Sequence, residues 1–298
     1  MPKGRDTVRE QGVVITGHTR LVGIIGWPVE HSLSPPMHNA AFAARGMDWA
    51  YVPLPVPPER VKEAVLGLRA LGFRGANVTV PHKQAVMPFL DHLTPEARAI
   101  GAVNTIVVEA DGRTWGTNTD AQGFLDDLVA HGVEVEGASV LVLGAGGAAR
   151  AVVYALARAG ARVTIANRTL GRAVELARQI HMALPAASFR VVEFTAERLA
   201  EEASAHAVLV NATSVGMWPD VDVSPWPAGV GFGEIRVVYD LVYRPRHTRL
   251  LREAAAWGCQ VIDGLGMLVR QGAESWRLWT GQVPPIDVME EVVKSRLE

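Results

Sequence analysis

The chain has 298 residues, of which 49% are hydrophobic and 20% charged, with a net charge of −2. This length predicts two domains of ordinary globular composition, and the near-neutral charge argues against a nucleic-acid surface held by bulk electrostatics. The apolar runs are too short to span a membrane, and the single Cys259 excludes an intrachain disulfide, which favours a cytoplasmic location. Met1–His18 predicts a polar extension without the apolar core of a signal peptide.

The first part of the chain alternates apolar strand-like runs with segments of helical spacing. Strands are predicted at Leu21–Gly26, Trp49–Val56, Gly75–Val80, Asn104–Glu109 and Arg113–Thr117. Helices are predicted at Met37–Arg45, Glu59–Leu71, Lys83–Leu90 and Pro95–Ile100. This alternation predicts an α/β layer structure with a mainly parallel sheet.

A βαβ unit follows in the second part of the chain. It consists of the strand Ser139–Leu143, the helix Arg150–Ala159 and the strand Arg162–Ala166. Further strands are predicted at Phe189–Phe194, Ala207–Asn211, Arg236–Leu241 and Gln260–Ile262, with helices between them. The chain is predicted to end in a helix from Met267 to Thr280 and another near Val288–Leu297.

The turn of the βαβ unit has the spacing of a dinucleotide-binding loop. Its residues are Gly144, Ala145, Gly146, Gly147, Ala148 and Ala149. Gly144 permits the tight turn, Gly146 lets the backbone approach a pyrophosphate, and Ala149 lets the helix pack close to the sheet. Because the loop follows an apolar strand and precedes a helix, we predict a dinucleotide site rather than a plain connecting turn.

The residues after the next strand indicate which dinucleotide binds. NAD-specific folds place an acidic residue there to accept from the ribose 2′-OH, but this chain has Asn167, Arg168 and Thr169, with Arg172 beyond. A guanidinium cannot accept from a hydroxyl, whereas it can pair with a 2′-phosphate and stack on adenine. The sequence therefore favours NADP(H) over NAD.

Two charged residues follow strands and form a candidate proton-transfer pair. Lys83 comes shortly after the strand that ends at Val80, and Asp120 follows the strand that ends at Thr117. A lysine can transfer the proton while a carboxylate orients it and balances its charge. Their separation of 37 residues does not by itself require that they meet.

The motifs taken together resemble those of the shikimate dehydrogenase family. They occur in the order found in that family, from about Leu21 to Gln271. The matching blocks are Ser32–Asn39, Asn77–Lys83, Gly101–Thr105, Gly116–Asp120, Gly144–Ala149, Asn167–Thr169, Asn211–Met217, Tyr239–Tyr243, Asp263–Leu268 and Gln271. The N-terminal extension lies outside the resemblance.

The resemblance implies NADPH-dependent reduction of 3-dehydroshikimate to shikimate, on the pathway to chorismate and the aromatic amino acids. It also implies a two-domain α/β architecture with the active site in the inter-domain cleft. Residues 1–119 with 265–298 would form the substrate domain, and residues 120–264 the Rossmann-type NADP-binding domain. The small-molecule substrate would be the only partner besides the cofactor, with neither nucleic acid nor membrane, and the protein would be a monomer or a homodimer.

The resemblance also implies roles for individual residues. Lys83 would donate and accept the proton, Asp120 would hydrogen-bond Lys83 and the reacting hydroxyl, and both residues would thus also bind the substrate. Ser32 and Ser34 would bind the substrate carboxylate with Tyr243, since an extended segment would point both hydroxyls to the same side. Without the resemblance, the residues beside Pro35 favour turn chemistry for these serines. The ring hydroxyls would contact Thr79, Asn104 and Gln271. The positions that flank the nicotinamide would be Leu241, Gly264 and Met267.

Three other assignments are compatible with parts of this pattern. A broader quinate/shikimate dehydrogenase would often use NAD, against which Arg168 and Arg172 argue. A non-catalytic NADP-sensing relative should have lost Lys83 or Asp120, and a folate-type dehydrogenase would lack the paired serines. No metal is predicted, because hydride transfer belongs to the nicotinamide and the histidines lack ligand spacing. For His31, His38 and His82 the sequence favours packing or hydrogen bonding over catalysis.

Overall fold

Two six-stranded sheets organise the chain into two α/β domains in the computed structural model, which describes residues 14–297. Most of the predicted N-terminal extension lies outside the described residues. Where the structure begins, Val14 and Ile15 are exposed, and the hydroxyls of Thr16 and Thr19 donate to the Asp48 carboxylate. The two-domain prediction is confirmed.

The first sheet is mixed but mainly parallel. Its strands are β1 (Arg20–Gly26), β2 (Trp49–Pro55), β3 (Gly75–Val78), β4 (His92–Leu93), β5 (Thr105–Val108) and β6 (Thr114–Thr117), in the order β2-β1-β3-β5-β6-β4. Only β5 runs against its neighbours among these strands. The helices α1 (Ser34–Ala44), α2 (Val61–Ala70) and α3 (Pro95–Ile100) connect them. The continuous apolar runs form buried strands because the sheet is covered by side chains on both faces.

The predicted helix at Lys83–Leu90 is wrong. The segment consists of turns that end in a short 3₁₀ helix at Met87–Phe89. Pro88 cannot donate a backbone hydrogen bond, so an α-helix would be interrupted there. The predicted third strand also ends at Val78, two residues early, and the two-residue β4 was not predicted.

The helix α4 (Asp120–Ala130) leads into the second sheet, which is parallel throughout. Its strands are β7 (Ser139–Leu143), β8 (Arg162–Asn167), β9 (Phe189–Glu193), β10 (Val208–Asn211), β11 (Val237–Asp240) and β12 (Gln260–Ile262), in the order β12-β11-β10-β7-β8-β9. The intervening helices are α5 (Gly147–Arg158), α6 (Leu170–Ala183), α7 (Ala196–Ala203) and α8 (Arg249–Trp257). This doubly wound order confirms the Rossmann-type prediction. Cys259 is a buried core residue of this domain.

After β12 the chain returns to the first domain through α9 (Leu265–Thr280) and α10 (Ile286–Ser295). Trp276 and Trp279 of α9 enter the core around Phe42, and Met289 of α10 is part of the same core. Among residues 14–297, no helix combines the length and the apolarity needed to cross a bilayer.

The helices α4 and α9 pack closely where the chain passes between the domains. A Cβ atom on Gly123 would lie 2.8 Å from the backbone nitrogen of Gln271. Asp127 of α4, whose side chain is 1% exposed, pairs with Arg270 at 3.3 Å and accepts from the Tyr239 hydroxyl at 2.6 Å. The α4–α9 pair therefore fixes the start of α4 relative to Gln271.

Replacing Gly123 with Ala should lower the free energy of unfolding by about 1–3 kcal/mol, because backbone atoms of α9 must move to admit the methyl group. Gly67→Ala in α2 is the matched control, since no atom lies within 4 Å of the added methyl. The control should raise stability by about 0.5–1 kcal/mol through helix propensity. Urea denaturation of both variants measures the difference, and equal effects would contradict the packing argument.

Candidate active site

The strand register brings the predicted catalytic segments to one edge of the first sheet. Asn77 of β3 pairs with Thr105 of β5, and Thr105 pairs with Thr117 of β6. Because β5 is antiparallel, the segment after β3, the residue before β5 and the segment after β6 emerge together. These segments carry Lys83, Asn104 and Asp120.

Lys83 and Asp120 form an ion pair, with 2.6 Å between Nζ and Oδ2. Their side chains are only 13% and 6% exposed, so water screens the pair weakly. The second carboxylate oxygen of Asp120 accepts from Asn104 Nδ2 at 2.8 Å. The backbone N–H of Asp120 donates to Asn118 Oδ1 at 3.0 Å, which fixes the start of α4. The carboxylate therefore holds the lysine ammonium in one place.

Gln271 of α9 joins this group through Asn104 and Thr119. Its Oε1 accepts from Asn104 Nδ2 at 3.2 Å, and its carbonyl accepts from the Thr119 hydroxyl at 3.0 Å. Thr79 follows β3, and its backbone N–H donates to the Ile25 carbonyl at 2.8 Å. Its methyl group fills the space above Gly26.

Ser32 and Ser34 lie where a turn leads into α1, which is the turn chemistry that the residues beside Pro35 favoured, and not in an extended segment. Leu33 between them has helical dihedral angles, and the backbone N–H of Ser34 donates to Ser32 Oγ at 3.2 Å. This is local Ser-to-backbone bonding at the start of α1, which the flanking prolines favour. Because Ser32 accepts in this contact, its own hydroxyl proton stays available to a ligand.

Tyr243 of the second domain reaches the same region and packs against the core of the first domain. Burial raises the pKa of Tyr51 well above 10.0, a hydrogen bond with Ser34 opposes the shift, and the nearby Tyr243 adds to it. Burial likewise raises the pKa of Tyr243, although Arg244 lowers it. Both phenols are therefore protonated at neutral pH, and the Tyr51 hydroxyl lies beside Ser34, within the electrostatic influence of Tyr243.

A buried hydrogen-bond chain, missed by the sequence analysis, connects this hydroxyl group to the ion pair. The Tyr51 hydroxyl donates to Asn77 Oδ1 at 2.8 Å, and Asn77 Nδ2 donates to Ser275 Oγ at 2.9 Å. The Ser275 hydroxyl lies 2.7 Å from that of Thr105, which donates to Asn104 Oδ1 at 3.0 Å. The signal available in the sequence was Asn77 itself, a polar side chain in a strand of buried residues that needs partners.

The three histidines within the motifs pack or form hydrogen bonds, as the sequence favoured. His38 is fully buried and stacks on Tyr51 with 4.4 Å between ring centroids, and burial lowers its pKa from 6.5 to about 3. His82 contacts the Val56 carbonyl through Nε2 at 2.6 Å. His31 lies 4.6 Å from the ring of Trp218.

The glycine loop follows β7, at the point where the second sheet winds in both directions. Gly144 has a φ of +111°, which requires glycine, and Ala149 is fully buried against the sheet. The N-terminus of α5 has no side-chain cap, and a Cβ on Gly146 would meet no protein atom within 4 Å. Nothing in the protein requires glycine at position 146, whereas a pyrophosphate approaching the backbone would. The loop fits a dinucleotide.

The residues predicted to select NADP lie at the end of β8 and the start of α6. Asn167 Nδ2 donates to the Thr169 carbonyl at 2.9 Å and fixes the turn. Arg168 and Arg172 are exposed, and neither forms an ion pair or a side-chain hydrogen bond within residues 14–297. Both guanidinium groups are therefore available to an anionic ligand.

Leu241, Gly264 and Met267 come together after β11 and β12. A Cβ on Gly264 would lie 2.1 Å from the Leu241 carbonyl oxygen, so only glycine fits there. Met267 is buried in a core cluster against which Leu241 packs.

The two domains meet directly above the ion pair. A Cβ on Gly147 would lie 3.1 Å from Cβ and 3.2 Å from Cδ of Lys83. The glycine loop thus contacts the stem of the lysine, and the predicted dinucleotide and proton-transfer sites are neighbours across the cleft. Within residues 14–297, no group of three or more His, Cys, Asp or Glu side chains is arranged to hold a metal ion.

Comparison with known proteins identifies the family. Sequence models match the "shikimate dehydrogenase substrate binding domain" over residues 24–106, the "shikimate / quinate 5-dehydrogenase" over 127–215 and the "shikimate 5'-dehydrogenase C-terminal domain" over 264–294. A shikimate dehydrogenase (NADP(+)) from Symbiobacterium thermophilum is 47% identical, across 100% of this chain and 99% of the relative. The chain belongs to the shikimate dehydrogenase family.

Solved structures of shikimate dehydrogenases have the same architecture. One, a complex with NADP+, superposes with a TM-score of 0.88 at 39% identity and covers 97% of this chain and 99% of its own. The enzyme from Thermus thermophilus, in complex with NADP(H) and shikimate, gives a TM-score of 0.82 at 44% identity, with coverage of 93% and 99%.

In this member of the shikimate dehydrogenase family, a buried carboxylate supports the segment that carries Leu241 and Tyr243. Asp240 is fully buried and accepts from the Val242 N–H at 3.0 Å, the Thr248 hydroxyl at 2.7 Å and Asn211 Nδ2 at 2.8 Å. Burial raises the pKa of Asp240 from 3.8 to about 6, more than these hydrogen bonds lower it.

This raised pKa makes stability fall as the pH rises. The folded protein holds the Asp240 proton up to about pH 6 while the unfolded chain releases it near 3.8, so the favourable contribution is present at low pH and lost through the folded pKa. Relative to Asp240→Asn, the wild type should lose about 1.4 kcal/mol of unfolding free energy between pH 5 and 8.

Urea denaturation at pH 5, 6 and 8 measures this difference. Asp220→Asn, at an exposed loop carboxylate, is the matched control and should show no such trend. A wild-type-minus-variant difference that stays constant or increases with pH would contradict the assignment to Asp240.

Proposed function

We propose that the protein catalyses the reversible, NADPH-dependent reduction of 3-dehydroshikimate to shikimate, a step towards chorismate and the aromatic amino acids. One observation carries the proposal: the Lys83–Asp120 ion pair, at 2.6 Å, lies against the glycine loop through Gly147. A proton donor and a dinucleotide loop in contact are what carbonyl reduction by a nicotinamide requires.

The substrate is a small ring with one carboxylate and several hydroxyl groups. Ser32, Ser34 and Tyr243 donate to the carboxylate from opposite sides of the cleft. The ring hydroxyls bind at the other end, to Thr79, Asn104 and Gln271. An analogue that lacks a ring hydroxyl leaves these buried polar groups unpaired, which is the source of discrimination.

The chemistry at the reacting carbon needs one proton from the protein. Lys83 Nζ donates a proton to the carbonyl oxygen during reduction and accepts it again in the reverse direction. Asp120 holds the ammonium through one carboxylate oxygen while Asn104 holds the other oxygen, so the donor is oriented before the substrate binds.

NADPH, when bound, supplies the hydride. The backbone of Gly144, Ala145, Gly146, Gly147, Ala148 and Ala149 and the N-terminus of α5 would hold its pyrophosphate. Arg168 and Arg172 would hold the 2′-phosphate, with Asn167 and Thr169 shaping the turn. Leu241, Gly264 and Met267 would flank the nicotinamide.

We further propose the domain boundaries on which this arrangement depends. Residues 1–119 with 265–298 form the substrate domain, because α9 and α10 pack into the core beneath the first sheet. Residues 120–264 form the NADP-binding domain around the second sheet. A monomer or a homodimer and a cytoplasmic location remain predictions from the sequence, and light scattering coupled to size exclusion measures the first.

A panel of substrates and cofactors tests the function and the role of Arg168. Nicotinamide absorbance should show turnover with shikimate plus NADP well above turnover with quinate or with NAD. Arg168→Ala should raise the KM for NADP by about 10- to 100-fold, because a charge-assisted contact is lost. The KM for shikimate should stay within about twofold of the wild-type value. Arg236→Ala, at the opposite end of the strands, is the control. Comparable quinate or NAD turnover would assign broader specificity, and no turnover in any pair would overturn the proposal.

Replacement of Lys83 tests the proton donor. Lys83→Ala should lower kcat by about 10²- to 10⁴-fold with little change in the KM for shikimate, because the proton transfer is lost while the binding groups remain. Lys83→Gln retains a donor for the buried Asp120 carboxylate and should show the same loss. Lys62→Ala, at an exposed lysine of α2, should behave as wild type. Near-normal turnover in folded Lys83→Gln would remove Lys83 from the mechanism.

A further inference from the structure

Three side chains contact one another across the cleft beside the proposed carboxylate site, with the rings of His31 and Trp218 tilted by 59°, and the proposed function assigns them no role. His31 belongs to the first domain, in the loop between β1 and α1. Trp218 follows β10 and Arg244 follows β11, so both belong to the second domain. The rings of His31 and Trp218 have centroids 4.6 Å apart, and the Arg244 guanidinium carbon lies 5.6 Å from the Trp218 ring. We call these residues the cross-cleft stack.

Each side of the cross-cleft stack adjoins a residue proposed to bind the carboxylate. His31 immediately precedes Ser32, and Arg244 immediately follows Tyr243. The backbone N–H of Trp218 donates to the Arg244 carbonyl at 3.0 Å, which ties the tryptophan to the Tyr243 segment. The stack therefore connects the two segments that must converge on one carboxylate.

The position of Trp218 is not explained by the core of its own domain. Its side chain is 43% exposed, and its ring contacts are His31 from the opposite domain and Arg244. A tryptophan face is the preferred partner of a guanidinium, and an offset contact between aromatic rings adds attraction beyond burial. Any widening of the cleft would break the His31–Trp218 contact.

Besides the α4–α9 packing and the contacts around the ion pair, a further set of contacts between the domains lies on the far side of the glycine loop. Arg158 of α5 pairs with Glu96 of α3 at 3.1 Å, and Arg150 donates to the Ile100 carbonyl at 3.4 Å. These helices flank β7 and β8, whereas the cross-cleft stack follows β10 and β11 on the opposite side of the switch point. The stack thus restrains the cleft where the α3 contacts do not.

We propose that His31 and Trp218 are positioning residues that hold Tyr243 over Ser32 and Ser34, so that binding of the substrate carboxylate is coupled to closure of the cleft. This rests on the proposed function, because the coupling concerns the same site. The ring contacts of the stack involve neither Lys83 nor Asp120 nor the glycine loop. Its loss therefore weakens substrate binding and leaves the chemical step and cofactor binding intact.

Steady-state kinetics with shikimate and NADP test the role. Trp218→Ala and His31→Ala should each raise the KM for shikimate by about 3- to 10-fold, or about 0.7–1.4 kcal/mol, with kcat and the KM for NADP within about twofold. Trp218→Phe and His31→Phe retain stacking rings and should restore most of the affinity. Trp257→Ala, at another exposed tryptophan of the second domain, is the matched control and should leave the KM for shikimate unchanged.

A double-mutant cycle with Tyr243→Phe separates positioning from general destabilisation. If Trp218 acts through Tyr243, the effect of Trp218→Ala on the KM for shikimate should nearly vanish in the Tyr243→Phe background. Fully additive effects, a kcat loss equal to the KM rise, or a failure of Trp218→Phe to restore affinity would overturn the proposal.

Hydrogen–deuterium exchange of the ligand-free protein supplies a readout that does not depend on turnover. The backbone N–H groups of Ser32 and Ser34 donate to the Val29 carbonyl and to Ser32 Oγ, and the stack supports this loop. The peptide that contains them should exchange at least about 3-fold faster in Trp218→Ala than in wild type, Trp218→Phe or Trp257→Ala. An inactive wild type would overturn the proposed function. Unchanged exchange of this peptide in Trp218→Ala would overturn the proposed positioning role of the cross-cleft stack.

Discussion

The buried ion pair between Lys83 and Asp120 is the interaction on which the rest of the site depends. A lysine ammonium inside a protein is stable only if a carboxylate faces it and the remaining carboxylate oxygen is satisfied. Asp120 meets both conditions, because Lys83 Nζ binds one oxygen and Asn104 Nδ2 binds the other. The antiparallel strand β5 makes this possible by returning Asn104 to the edge from which the lysine segment leaves.

A chain of buried hydrogen bonds connects the ion pair to the other end of the proposed substrate site. Hydrogen bonds run from Tyr51, beside Ser34, through Asn77, Ser275 and Thr105 to Asn104. Each of these side chains is buried, so leaving one unsatisfied would cost about 1–3 kcal/mol. One hydrogen-bond network therefore connects the proposed carboxylate site to the proton-transfer pair, and it runs through the first domain as far as Asp120, where the second domain begins. Tyr243 is the carboxylate donor that the second domain contributes, which is why its restraint by Trp218 matters.

The second domain supplies the glycine loop, and the packing of that domain explains only some of its small residues. The backbone conformation at position 144 requires glycine, and packing against the sheet requires a small residue at Ala149. No contact within the protein requires glycine at position 146. Gly147 is explained by the stem of Lys83, which belongs to the other domain. The sequence of this one loop is thus constrained by the fold, by the proposed dinucleotide and by the proton donor across the cleft.

The sequence alone determined the two-domain α/β class and nearly all strands, and it predicted the site residues, because apolar periodicity, glycine spacing and ordered motifs are local properties. It was wrong where local spacing misled, because Lys83–Leu90 is not helical. For Ser32 and Ser34 the local residues favoured turn chemistry beside Pro35, and the structure agrees. Only the tertiary structure decided that Lys83 meets Asp120 across 37 residues, that Asn77 and Ser275 connect, and that His31 faces Trp218. Those contacts depend on strand register and domain placement, which no local pattern contains.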